Sequence, residues 1–225
     1  MNCGTRRTRT TCGAWLTPFI ASSLAFSILS HFFLFSIYSR HFPGIGEFQC
    51  YDRYALASLA AAATAAGHPE WGRSGPHDAG TYTDAPESAP FFRSHDGGWS
   101  TSYGRFFLSW YASQLETHAD KMLGSAAAVF GGIPGLHVAG KLPGVHWCYA
   151  TPSHAAEATA GIHNCFGRDG YSTLMRIFAR HGACLDFTCV EMKDAETPAG
   201  CAPEPLLTQA RAFTPSHLHS FTPSH

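Results

Sequence analysis

The chain has 225 residues, 45% of them hydrophobic and 14% charged, with a formal net charge of -1. That length allows one ordinary domain, and near-neutrality gives no global attraction to nucleic acid or anionic membranes. The charge is unevenly placed: all 16 acidic residues lie between Glu47 and Glu204. Three segments follow: 1–42, 43–205 and 206–225.

The first segment holds an uncharged apolar run, Ala14 to Tyr38, behind Arg6, Arg7 and Arg9 and ahead of Arg40. About 20 apolar residues span a bilayer, and basic flanks suit a signal anchor. Pro18, His31 and the serines weaken that reading. A plastid transit peptide is equally rich in Ser and Arg and poor in acids. Non-coding sequence read as protein, joined near Phe42, fits as well.

YDRYALASLAAAATAAGH predicts a helix ending at glycine. A loop follows, with Pro69, Gly75, Pro76 and Gly80. Tyr103 to Phe130 predicts a long helix with Phe107, Trp110, Tyr111, Leu115, His118, Met122 and Leu123 near one face. GGIPG breaks it, and LHVAGKL predicts a strand. A long loop carries His146, Trp147 and Tyr149. RDGYSTLMRIFARHG predicts a second helix, with an apolar stripe of Tyr171, Leu174, Met175 and Phe178 and Gly182 as its C-cap glycine. CLDFTCV is the next strand. Strand, loop, helix, strand means a parallel pair with a crossover helix. FTPSH occurs twice in the final segment, a low-complexity tail.

In α/β folds ligands bind at the carboxyl ends of parallel strands. The polar groups there are Lys141, His146, Thr188, Glu191 and Lys193. His146 beside Trp147 suits a sugar ring, which has an apolar face and hydroxyl edges. The blander reading is a core tryptophan beside a solvent histidine. Glu191 is a candidate acid or base, or a carboxylate paired with Lys193. Glu47, in GIGEF, is a second candidate acid or base, against a structural role in the tight turn its flanking glycines suggest. Lys141 holds a hydroxyl or carboxylate, or is simply solvated. Thr188 by position is a buried, satisfied hydroxyl.

Eight cysteines are scattered without CxxC spacing, which argues against a zinc site. They are expected to be reduced, mostly buried thiols. GxSxG, P-loop, HExxH and GxGxxG motifs are absent, and no basic and aromatic alternation points to nucleic acid.

FPGIGEFQCYDRY, AGHPEWG, DAGTYTDAPESAPFF, GRFFLSWYASQLETHADKML, GVHWCY, HAAEATAGIHN, RDGYSTLMRIFARHG and DFTCVEMKDAE resemble the plant β-amylases, in that family's order and spacing, from about Pro43 to Pro205. The resemblance implies a (β/α)8 TIM-barrel glycoside hydrolase, with this stretch supplying roughly the fifth and sixth strands and their helices and loops. It implies an α-1,4-glucan substrate, maltose released from non-reducing ends with inversion, and no organic cofactor or metal. Lys141 and His146 match the family's substrate-contacting lysine and histidine in its KVSGIHWWY-like motif, which here reads KLPGVHWCY. Thr188 matches the threonine of the mobile inner loop.

The same resemblance implies that both catalytic glutamates are missing. The family's general acid lies in a GELRYPSYP motif before FPGIGEF, where this chain has FSILSHFFLFSIYSRH. Its general base lies in an AGENAL motif, which is absent here. Glu47 and Glu191 match non-catalytic positions. The expectation is a β-amylase family chain that is inactive alone. A non-catalytic glucan-binding relative and a membrane-anchored fragment are the alternatives, and the compartment is cytoplasm, plastid or membrane accordingly.

Overall fold

The computed structural model describes residues 44–212. The apolar run at 14–38 and most of the tail lie outside the described residues. Among the described residues no helix is long and apolar enough to cross a membrane.

Helix α1 (Arg53–Ala65) starts where the Asp52 carboxylate accepts the Tyr54 and Ala55 N–H groups at 2.7 and 3.1 Å. These are donors that the first helical turn leaves without partners. Four short 3-10 turns between Pro69 and Ser100 carry the chain to α2 (Ser102–Phe130). Thr101 caps α2 by accepting the Gly104 N–H at 3.0 Å.

Strand β1 is Ala139–Leu142 and strand β2 is Cys184–Phe187. They pair in parallel, with Ala139 opposite Cys184 and Leu142 opposite Phe187. The chain between them carries α3 (Ala155–Thr159) and α4 (Gly170–Arg180). The crossover expected from the sequence is therefore present, with strands shorter than the apolar runs that predicted them. Asp169 caps α4 through the Tyr171 and Ser172 amides at 2.9 and 3.2 Å.

Helix α5 (Pro203–Ala212) closes the described region. The boundary drawn at 205 from composition falls inside this helix, whose Leu206, Leu207 and Ala210 are buried. A proline at the first helical position needs no N–H partner, so the PEP start does not prevent the helix.

Two apolar clusters form the interior. One is aromatic: Phe48, Phe91, Phe92, Phe107, Trp110 and Tyr111 with Leu59 and Ile45. The other surrounds the strand pair, with Leu142, Phe187, Tyr171, Met175, Phe178 and Leu206. Helix α2 joins them, giving Phe107 and Trp110 to the first and Leu123 to the second. Leu115 and Met122 of its predicted face are half-buried, and His118 is exposed. Position 118 lies on the stretch of helix between the clusters, so periodicity placed it on an apolar face that has no floor there.

All six described cysteines are free, and Cys50, Cys165 and Cys189 are buried.

Candidate functional site

The residues singled out in the sequence gather at the carboxyl ends of β1 and β2. Thr188 follows β2 directly. Its hydroxyl accepts the Gly144 N–H at 2.8 Å, while its own N–H donates to the Leu142 carbonyl at 3.4 Å. Gly144 belongs to the loop that leaves β1. A Cβ there would lie 2.2 Å from Cys189 Sγ and 2.6 Å from the Thr188 carbonyl oxygen. Only glycine lets the two loops come this close, and the clasp fixes the His146 loop to the Thr188 loop.

His146 is buried, at 4% exposure. Its N–H donates to Gly144 O at 3.0 Å and its carbonyl accepts the Ala202 N–H at 2.9 Å. Burial lowers the imidazole pKa, opposed by the nearby charge of Asp194. The reading of a solvent histidine beside a core tryptophan is therefore reversed. Trp147 is only half-buried, with its indole N–H donating to Gly44 O at 3.1 Å and its ring edge-on to His146 at 5.6 Å. The reason is distant: the segment leading into α5 lies over the histidine backbone.

Lys141 sits inside β1, opposite Asp186, rather than after the strand, and its side chain is exposed. Among the described residues it has no ion-pair or hydrogen-bond partner. The clasp thus links His146 and Thr188 through their loops, and Lys141 stands apart on the strand.

Glu191 does not end a strand, because β2 stops at Phe187. It is exposed, and Lys193 pairs instead with Glu204 at 3.6 Å. Glu47 does follow a tight turn. Gly46 has φ +78°, and a Cβ on it would meet Thr159 Oγ1 at 2.7 Å. The Thr159 hydroxyl donates to the Ile45 carbonyl, which ties the turn to α3.

One buried acid went unread in the sequence. Glu157 of α3 is fully buried. Its carboxylate contacts His154 Nδ1, accepts the Tyr171 hydroxyl at 2.6 Å and accepts the Asn164 amide at 3.4 Å. Burial raises its pKa, and the three partners pull the other way. Asn164 and Gln209 exchange amide hydrogen bonds at 3.0 and 2.7 Å, and Gln209 also accepts the Tyr149 hydroxyl at 2.7 Å. The network pins α5 to α3 and to the start of α4. The available signal was a lone carboxylate in an alanine-rich stretch, three residues after a histidine.

Thr188→Val tests the clasp. It leaves the partly buried Gly144 N–H without its acceptor, a loss of about 1–3 kcal/mol. The expected result is a lower urea midpoint and faster hydrogen exchange at the Gly144 amide. Unchanged exchange there would dismiss the clasp.

The comparisons with known proteins agree with one another. Residues 34–217 match the family model Glycosyl hydrolase family 14, a span wider at both ends than the 43–205 stretch that carried the resemblance. Over 173 residues the chain is 56% identical to Beta-amylase 2, chloroplastic, of Oryza sativa subsp. japonica, covering 76% of this chain and 31% of that protein. It is 50% identical to Beta-amylase 1, chloroplastic, of Arabidopsis thaliana over 175 residues, covering 77% of this chain and 30% of that one. The crystal structure of the catalytic domain of a beta-amylase from Paenibacillus polymyxa superposes with a TM-score of 0.58 at 28% identity, covering 77% of this chain and 42% of that one. The chain spans about a third of the length of the curated relatives it matches. With its motifs, its parallel strand pair and these relatives in agreement, the chain belongs to glycosyl hydrolase family 14.

Proposed function

We propose that residues 44–212 are one sector of a (β/α)8 barrel, with β1 and β2 as its fifth and sixth strands, and that the sector's carboxyl edge binds α-1,4-glucan. The observation that carries this reading is the Gly144–Thr188 clasp. It sets two loops rigidly at the strand ends, where barrel enzymes place ligands. Lys141 supplies an exposed cation for sugar hydroxyls. The buried imidazole of His146, whose pKa burial lowers, offers a donor or acceptor, and Thr188 positions the loop it belongs to.

The complete domain hydrolyses starch-like glucans with inversion, releasing maltose from non-reducing ends. Inverting hydrolysis needs a carboxylic acid at the leaving oxygen and a carboxylate that activates water, about 6.5–9.5 Å apart. Glu157 cannot serve as either. It lies in the core, wholly engaged by His154, Tyr171 and Asn164. Glu47 and Glu191 lie outside the family's catalytic motifs. The role left to this chain is binding.

Electrophoresis of the 225-residue chain through amylose-containing gels tests the reading, with maltose release measured on the same preparation. The chain is expected to be retarded by amylose, Lys141→Ala to run faster than the parent, and soluble starch to yield no maltose. A parent chain that amylose does not retard would end the binding reading. Maltose release above a heat-killed control would place a catalytic pair within this sequence, with Glu47 and Glu191 the first to substitute.

A further inference from the structure

The loop from β1 to α3, residues 143–154, carries His146 and Trp147 and is fastened at three points. Thr188 holds its start through the Gly144 N–H. Ala202, on the lead into α5, holds its middle by donating to the His146 carbonyl. The third fastening is at Tyr149, whose hydroxyl donates to Gln209 Oε1 of α5 at 2.7 Å. Between the second and the third lies Cys148, with φ +58°. A side-chain-bearing residue is unfavourable in this left-handed region and stays there only where its surroundings hold it. The bend sets the direction of Trp147 on one side, and Tyr149 is the anchor on the other.

Gln209 makes a firm anchor because its amide is fully used. Its oxygen accepts the Tyr149 hydroxyl and, at 3.0 Å, the Asn164 N–H. Its nitrogen donates to Asn164 Oδ1 at 2.7 Å and to Asp169 Oδ1 at 3.0 Å. An amide side chain has two acceptor sites and two donor hydrogens, so the group cannot turn over without losing the whole set. Both partners are themselves fixed: Asp169 caps α4, and Asn164 accepts the Gly170 N–H at 3.2 Å and donates to Glu157. Burial pushes the Tyr149 pKa up to about 12, which keeps its hydroxyl protonated as the donor.

We infer that Tyr149 and Gln209 are a positioning pair for the glucan site: through one hydrogen bond, α5 holds the loop in the bent form that sets His146 and Trp147 at the carboxyl edge. The inference rests on the binding reading above. Both side chains act through the loop and are not themselves sugar contacts.

The test is electrophoresis of the 225-residue chain and its variants at graded amylose concentrations, with native-state amide exchange on the same preparations. Tyr149→Phe keeps the ring and removes one hydroxyl from a half-buried side chain, so the fold is retained. It should weaken the apparent Kd for amylose about two- to tenfold, the range one hydrogen bond sets. Exchange at the His146 amide should quicken, while the Tyr171 and Ser172 amides on the α4 cap exchange as in the parent. Gln209→Ala should give a similar loss of affinity, and the double variant no further loss. A folded Tyr149→Phe chain that amylose retards as strongly as the parent would overturn the positioning role and leave the binding reading standing. So would equal quickening at all three amides, the mark of a merely loosened fold. Losses that add in the double variant would dissolve the pair. A parent chain that amylose does not retard would overturn this inference together with the binding reading.

Discussion

Glu157→Leu should lower the urea midpoint of unfolding sharply at 25 °C, whereas Glu157→Gln should largely keep it. The two differ by little in volume and greatly in hydrogen bonding. Leucine leaves the Tyr171 hydroxyl and an Asn164 N–H buried without their acceptor, at a cost of about 1–3 kcal/mol for each unsatisfied group. The stability of a whole domain is about 5–15 kcal/mol. Glutamine keeps an oxygen for Tyr171 and Asn164 and offers its amide to His154.

The pair also fixes the sign of a pH effect. Burial raises the folded-state pKa of Glu157 above that of the unfolded chain. The folded state therefore holds more protons than the unfolded state just above the ordinary carboxylate range. Stability from this group is complete below the unfolded pKa and is lost as pH rises through the folded one. His163 acts in the opposite direction. Burial first, and Arg168 second, depress its pKa to about 4, so its contribution is lost as pH falls from its ordinary 6.5 toward that value. The difference between parent and Glu157→Gln cancels the histidine. Urea midpoints measured from pH 4 upward should show the glutamine variant gaining on the parent as pH rises. A constant or shrinking difference would mean that the carboxylate ionises in place without cost.

Phe107→Ala is the second large effect. Phe107 is fully buried at the centre of the aromatic cluster. It meets Phe48 edge-on at 4.9 Å, stacks on Tyr111 at 6.1 Å and contacts Trp110 at 5.6 Å. Truncating a core phenylalanine to alanine costs about 3–5 kcal/mol, through lost transfer energy and the cavity left behind. Each aromatic pair adds about 0.5–1.5 kcal/mol beyond its area. Five other rings hold the walls apart, so the site collapses poorly and the upper part of the range applies. Near-UV circular dichroism during urea unfolding should show a large loss of midpoint, and Phe107→Leu a much smaller one. Equal midpoints for the alanine and leucine variants would mean that the cluster closes over the gap.

The sequence carried the helices well, because their signals are local. Asp52 and Asp169 each precede an apolar-periodic run, and both cap a helix as that position predicts. The parallel pair was legible for a similar reason: two short apolar runs flanking one strongly amphipathic helix admit few arrangements. What local pattern could not supply was burial imposed from afar. His146 is covered because Ala202, 56 positions later, bonds to its carbonyl. Helix α5 was hidden by its own composition, since a PEP start and the loss of acidic residues read as a tail. Glu157 went unread because its partners Tyr171 and Asn164 come from later in the chain, and spacing does not show which way a side chain faces. Family likeness singled out Lys141, His146 and Thr188 together. The clasp through Gly144 gives two of them a shared mechanical frame that no motif describes.

The free thiols have a use of their own. Burial pushes Cys50 up to about 11 and Cys165 and Cys189 up to about 12, so at neutral pH they remain protonated and poor nucleophiles. Cys50 and Cys165 belong to the aromatic cluster and Cys189 to the cluster around the strands. Each half of the interior thus contains its own silent clock. An alkylating reagent can mark a sulfur only when its half opens, so the order in which these three positions acquire label records the order in which the molecule comes apart.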